Sequence, residues 1–236
     1  MTFEDDTDRR IEPLGQWGWL TQWPDEEAAA AWADAARAAG WPNVVEIVAA
    51  YRTVAVLCRT DLENEPYLIL REAIRASVRL HASESFGLGK ISMIESEPVA
   101  VPVIYDGEDL AEVAASLGLT SSHVVALHAS TIYRVFAVGF LPGFPYAGFL
   151  PPGLSGLARR ASPRTCVPAG SVAIAGRQTG IYPCDSPGGW HILGRTTLTI
   201  CDLDTGFFRF RPTDRVRFVP QPGGILPELP FECRSS

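Results

Sequence analysis

VVEIVAAYRTVAVLC, residues 44–58, decides how the first third of the chain is read. Two runs rich in β-branched residues, 44–50 and 53–58, are separated by Tyr51 and Arg52 alone, the spacing of two strands joined by a tight turn. Upstream, Pro24 stands where a first helical turn has no use for an N–H. Asp25, Glu26 and Glu27 suit the positive end of the helix dipole, AAAAWADAARAA propagates the helix, and Gly40 can supply a left-handed stop. Trp32 is expected as a core anchor on that helix. IEPLGQWGWL, 11–20, reads as a short strand interrupted by Gly15 and Gly18, and residues 1–10 read as a solvated tail. Downstream, ENEPYLILREAIRASVRL, 63–80, reads as a second helix, with Leu68, Glu72 and Arg75 three and four residues apart.

The order is strand, helix, strand, strand, helix, and a last strand at 91–94 would complete a ferredoxin-like split unit. After Glu95 the text changes. VAVPVIYDGEDL predicts a strand and an Asp106-Gly107 turn, and LAEVAASLGL and the segment 121–129 predict two short helices joined near Thr120, the second capped by Ser121. YRVFAVGF, 133–140, reads as a strand, and HILGRTTLTI and FFRFRPTDRVRFVP return to strand-like text after a long interval. That interval, 139–194, holds 11 glycines and 8 prolines, twice the density of the whole chain, which describes loops held to one shape. The aromatics among them set it apart from a disordered linker.

Composition excludes several classes of function. The 236 residues carry 20 Lys+Arg against 27 Asp+Glu, a net charge of −7, which disfavours nucleic acid and anionic membranes as partners. Lys90 is the one lysine, so a Walker-type loop or a lysine Schiff base has almost nowhere to sit. Five cysteines without a CxxC pair argue against a zinc knuckle or a disulfide scaffold and favour a reduced, cytoplasmic setting. The acidic start resembles no signal peptide, and no run of about 18 apolar residues is present. Four histidines without H-x-x-x-H spacing describe no metal site.

Chemistry-bearing residues concentrate in two segments. VGFLPGFPYAGFLPP, 138–152, sets Phe140, Phe144 and Tyr146 in a frame of fixed turns around Pro142 and Gly143, which suits either an apolar wall for a ligand or a structural loop. In 163–196, Arg164, Ser171, Gln178, Tyr182, Ser186 and Arg195 are polar groups spread between backbone constraints, the makings of a fixed donor array. Gly188 and Gly189 can present backbone N–H groups to a carboxylate or phosphate, or can close a hairpin. His128 is suited to act as a general acid or base or, equally, to close a helix C-terminus. Cys166 and Cys184 lack an adjacent histidine, and no G-x-S-x-G elbow is present.

His128, the Tyr133-Arg134-Val135 strand, the run Gly139 to Tyr146 (G-F-x-P-G-F-x-Y) and the nearly unbroken run Pro163 to Thr196 (P-R-x-x-V-P-A-G-S-V-x-I-A-G-x-Q-T-G-I-Y-P-x-x-S-P-G-G-W) together form a signature. On it, the chain resembles the allophanate-hydrolase subunit 1 family, also described as the B subunit of the bacterial ATP-dependent 5-oxoprolinase. That family includes a sporulation-kinase inhibitor and matches a domain of urea carboxylases. The resemblance covers about residues 11–220 and departs from the family pattern at Arg159-Arg160, where the family often has Pro-Arg, and at Gly15-Gln16-Trp17-Gly18.

The resemblance implies an α+β chain with a ferredoxin-like domain over 1–90 and a cyclophilin-like β-barrel domain over 91–236. It implies one component of a hydrolase complex that opens 5-oxoproline to glutamate with ATP, inactive alone and working with a subunit 2 partner of related barrel fold and a third protein. In that setting Arg164, Gln178 and Arg195 are the expected donors and His128 the expected acid or base. Phe140, Phe144, Tyr182 and Trp190 are the expected wall. ATP is expected to be used by the complex, with binding by this chain left open. Allophanate or urea-type chemistry, a carboxyltransferase component, and a regulator docking on a histidine kinase are the alternatives the family allows.

Overall fold

The computed structural model describes residues 11–16, 18–59, 65–83 and 97–225. The expected tail at 1–10 and the expected strand at 91–94 lie outside them. The chain divides into two compact units, Met1–Glu95 and Ser96–Ser236.

The first unit holds β1 (Ile11–Pro13), β2 (Gly18–Gln22), α1 (Glu26–Ala39), β3 (Val44–Ala50), β4 (Thr53–Cys58) and α2 (Glu65–Ser83). Its sheet runs β1-β2-β4-β3, antiparallel throughout. The helix signals act as read: the Asp25 carboxylate accepts from the Ala28 N–H, and Gly40 ends α1 at φ 58. Trp32 is fully buried among Trp19, Val54, Val56, Ile74 and Val78, and its Nε1 donates to Ser77 Oγ across the helix pair. One expectation changes. The stretch 11–20 is not one interrupted strand but parts of two, because Gly15 at φ 58 reverses the chain and Leu14 N–H bonds back to Gly18 O.

The second unit holds β5 (Val99–Val103), α3 (Leu110–Leu117), α4 (Ser121–Ser130), β6 (Ile132–Val138), β7 (Pro145–Gly148), a 3₁₀ turn (Pro152–Leu154), β8 (Arg164–Val167), β9 (Ser171–Ala175), β10 (Gln178–Ile181), β11 (Ser186–Gly188), β12 (His191–Arg195), β13 (Cys201–Asp202), β14 (Phe207–Phe208) and β15 (Arg215–Pro220). Seven strands form one sheet in the order β12-β9-β10-β7-β6-β15-β5, with β15 and β5 parallel and the other pairs antiparallel. Ile104 and Arg195 exchange N–H···O bonds of 2.9 Å in both directions, which brings the two sheet edges together into a nearly closed barrel.

Period-two alternation fills this barrel. In β9, Val172 and Ile174 join the interior with Val101, Val135, Ile181, Leu193 and Phe218, while Ala173 and Ala175 underlie a second cluster built on Phe144, Tyr182 and Trp190. Thr120, rather than Ser121, caps α4: its hydroxyl accepts from the His123 N–H. The glycine- and proline-rich interval is more regular than its composition suggests, since it contains β7 to β12. Several glycines there serve strands by leaving room for rings. A side chain at Gly180 would strike the Phe144 ring and one at Gly188 the Tyr182 ring.

Candidate functional site

The segments 139–146 and 159–190 close around one cavity of about 190 Å³, walled by Phe140, Phe144, Tyr146, Tyr182 and Trp190, with Arg159, Pro163, Pro187, Gly188 and Gly189 completing it. Phe144 is its floor. The ring is almost fully buried and meets Tyr182 at 5.2 Å and Trp190 at 5.4 Å edge-on, and Tyr146 at 4.9 Å. Edge-to-face contacts of this kind fix ring orientation as well as burying area. Phe140 caps the wall edge-on to Phe144 at 5.7 Å, yet it is 63% exposed and holds a left-handed φ of 68. An exposed aromatic in a disfavoured backbone conformation fits a ligand wall better than a core.

The arginines divide into tied and untied. Asp109 is buried beside the cavity-forming strands; its Oδ1 accepts from Arg160 at 2.7 Å and from Arg164 at 2.6 Å, and its Oδ2 from the Ile192 N–H at 2.7 Å. Glu108 takes the Arg164 Nε at 2.7 Å and Glu112 reaches Arg160 at 3.3 Å. Burial pushes the Asp109 carboxyl up, but the Arg164 hydrogen bond, the Ile192 N–H and the two guanidinium charges outweigh it and hold it below its ordinary value. Arg195 is paired with Asp106, at 2.9 Å from Nε and 2.8 Å from Nη2, on an exposed face. Arg159 lines the cavity and, among the described residues, has no carboxylate partner.

His128 is placed elsewhere. Its ring has no exposed atom, packs on Phe218 at 4.5 Å, and bridges Tyr105 (Nδ1, 2.7 Å) and Thr179 (Nε2, 2.9 Å). Thr179 Oγ1 donates to Ala173 O, so it accepts from His128 Nε2–H, and Nδ1 in turn accepts from the Tyr105 hydroxyl. Burial lowers its pKa to about 3, so the imidazole is neutral at physiological pH.

Of the expected residues, Phe140, Phe144, Tyr146, Tyr182, Gly188, Gly189 and Trp190 meet at the cavity, whereas Pro142, Gly143, Ser171 and Ser186 do not line it. Gly143 instead packs against Cys201, and Ser171 and Ser186 are buried in their strands. Of the expected donors, Arg164 is committed to Asp109 and Glu108, Arg195 to Asp106, and Gln178 pairs in β10 opposite Gly148 and Ala175; none lines the cavity. Gly188 sits at the end of β11 opposite Arg164, and Gly188-Gly189 lines the cavity; the strands on either side of it, β11 and β12, pair with β8 and β9 and not with each other, so it closes no hairpin. The one sequence signal for Arg159 is its departure from the family pattern. Asp109 gives no signal, because its partners Arg160, Arg164 and Ile192 are 51, 55 and 83 residues away. Among the described residues no cluster of three or more His, Cys, Asp or Glu suits a metal ion, and no single helix is long and apolar enough to cross a membrane.

Comparison with known proteins agrees with the signature. Residues 9–206 match the family model described as carboxyltransferase domain, subdomain C and D. The chain is 43% identical to the 5-oxoprolinase B subunit of Escherichia coli O157:H7, over 82% of this chain and 86% of that protein. It is 33% identical to the protein of the same name from Bacillus subtilis (strain 168), over 79% of this chain and 75% of that protein. Among solved structures, TTHA0988 superposes with a TM-score of 0.69 at 36% identity over 92% of this chain, which spans only 44% of that longer polypeptide. The Kluyveromyces lactis urea carboxylase shares the fold at 17% identity and a TM-score of 0.57, over 89% of this chain and 21% of that one. The chain thus belongs to the family of 5-oxoprolinase B subunits, a group of carboxyltransferase-related domains.

Proposed function

We propose that the chain is one component of an ATP-dependent 5-oxoprolinase and that the aromatic cavity is where it holds the lactam. The observation that carries this reading is that the two segments bearing the family signature converge on that cavity. A five-membered lactam presents two flat faces with little polarity, which ring walls accommodate, and a polar edge that needs hydrogen-bond donors. Burial raises the pKa of the Tyr146 and Tyr182 phenols, so both stay protonated and can donate to a carbonyl oxygen that gains negative charge. In ring opening, water oxygen bonds to the carbonyl carbon, the C–N bond breaks and the nitrogen takes up a proton, yielding the amino and carboxyl groups of glutamate. His128 takes no part in that proton transfer; its place is between α4 and β10, holding the barrel core.

The cavity does not fit a nucleoside triphosphate, because one untied cation in an aromatic enclosure cannot balance three phosphates. ATP used by the complex therefore sits outside this cavity. The fold supports the same assignment. The order β2, α1, β3, β4, α2 suits a ferredoxin-like domain, and the nearly closed seven-stranded sheet suits a cyclophilin-like one, with the boundary between them near residue 90.

The test is co-expression with homologues of subunit 2 and of the third protein, a joint peak in size-exclusion chromatography, and ATP-dependent release of glutamate from 5-oxoproline. An assembled complex that releases none removes the reading, as does turnover by this chain alone.

A further inference from the structure

We propose that Arg159 is the anion-recognition residue of the aromatic cavity, and that the cavity takes a small flat ring carrying one carboxylate. This rests on the reading that the cavity is the substrate's, and it adds which part of the ligand is read and by what.

Arg159 differs from every neighbouring arginine. Arg160 and Arg164 point their guanidinium groups at Asp109, Glu112 and Glu108, while Arg159 lines the cavity with no carboxylate partner among the described residues. Its backbone is nevertheless fixed on both sides. His191 Nε2 donates to Ala158 O at 2.8 Å, and the Arg160 N–H donates to Gly189 O at 2.8 Å. The rings, locked edge to face, and the backbone that carries the exposed Arg159 are arranged before any ligand arrives, so the ordering cost of binding falls mainly on the Arg159 side chain. Burial raises the pKa of the Tyr146 and Tyr182 phenols, and the positive charge of Arg159 is close enough to offset part of that rise.

The ligand class follows from the lining. Five aromatic side chains select flat, weakly polar faces. A volume of about 190 Å³ falls below the roughly 300 Å³ at which drug-sized pockets begin, so the ring is small. One untied guanidinium balances one negative charge, and its planar fork matches the two oxygens of a carboxylate. A dianionic or trianionic phosphate would enter with charge left unpaired among rings.

The experiment is a titration of the full chain by calorimetry, with tryptophan emission as a second readout and Trp190→Phe to locate the signal. Three probes separate the parts of the ligand: 5-oxoproline, 2-pyrrolidinone, which keeps the lactam and lacks the carboxylate, and inorganic phosphate. The wild-type chain is expected to bind 5-oxoproline at least about tenfold more tightly than either of the others, the range of a charged hydrogen-bonded pair. Arg159→Gln should lose that advantage while leaving affinity for 2-pyrrolidinone unchanged, and Arg159→Lys should recover part of it. Retention of the 5-oxoproline advantage in Arg159→Gln overturns the inference; so does phosphate binding more tightly than the ring acid, or no binding of 5-oxoproline to the wild-type chain at millimolar concentration. Discrimination between acid and neutral lactam that persists when the reconstituted complex releases no glutamate leaves Arg159 in this role and removes only the oxoprolinase reading.

Discussion

Asp109 and Arg164 are 55 positions apart in the chain, and 2.6 Å separates Oδ1 of one from Nη2 of the other. With Arg160 and the Ile192 N–H on the same carboxylate, this pair ties the N-terminal end of α3 to β8, β12 and the loop that carries Arg159. The cavity's geometry therefore depends on a buried acid that does not touch it.

Asp109→Asn should lower stability at pH 7 by about 3 kcal/mol, since it leaves two arginines facing an uncharged amide. The folded-state pKa of Asp109 is depressed, so its contribution is complete above its unfolded value of about 4 and is lost as pH falls through the lower folded value. Urea unfolding between pH 7 and pH 3 should show a steeper loss for wild type than for Asp109→Asn. Parallel curves would mean that the carboxylate gains nothing from its partners.

His128 contributes a pH dependence of its own. Its folded pKa of about 3 lies below the unfolded value of about 6.5, so the unfolded chain binds the extra proton between those limits. Stability from this site is whole above pH 6.5 and declines as pH falls toward 3. His128→Leu should flatten that decline, and the wild-type ring should show no titration by NMR between pH 8 and pH 5. An imidazole that titrates near 6.5 in the folded chain would refute its burial as a neutral group.

Phe144 and Phe140 separate packing from binding. Phe144→Ala removes a buried ring from contact with four others and should cost about 3–5 kcal/mol by urea unfolding. Phe140→Ala removes a ring that is 63% exposed and should change stability by no more than about 0.5 kcal/mol. Calorimetric titration with 5-oxoproline should nevertheless show weakened binding in Phe140→Ala. Undiminished affinity would take Phe140 out of the wall.

Arg195→Lys tests a residue that the sequence makes conspicuous. Because Arg195 faces Asp106 at the barrel seam and does not line the cavity, the substitution should leave affinity for 5-oxoproline within twofold. A tenfold loss would return Arg195 to the binding site.

The contrast between Arg159 and Arg195 shows where legibility stops. Both are candidate cations, and the sequence favours Arg195 because it sits in the long motif. What separates them is that Arg195 meets Asp106 while Arg159 meets no carboxylate among the described residues, and Asp106 is remote in sequence from Arg195. Phe144, Tyr182 and Trp190 do meet at one cavity, an arrangement that their setting among glycines and prolines allowed without separating it from a structural loop. His128 reads equally as an acid–base catalyst and as a helix end; it does stand in the last turn of α4, but its ring bonds to Tyr105 and Thr179, which come from segments on either side of it in the chain.

The sequence by itself determined the elements whose signals are local: α1 between its Asp25 cap and Gly40 stop, the β3–β4 hairpin, and the segment in which the wall residues would be found. These depend on backbone propensity and side-chain spacing within a few residues. Tertiary structure alone decided the barrel seam at Ile104 and Arg195, the commitment of Arg160 and Arg164 to Asp109, and the burial that keeps His128 neutral. Each is a pairing or desolvation across tens of residues, and its energy depends on distances that exist only once the chain has closed.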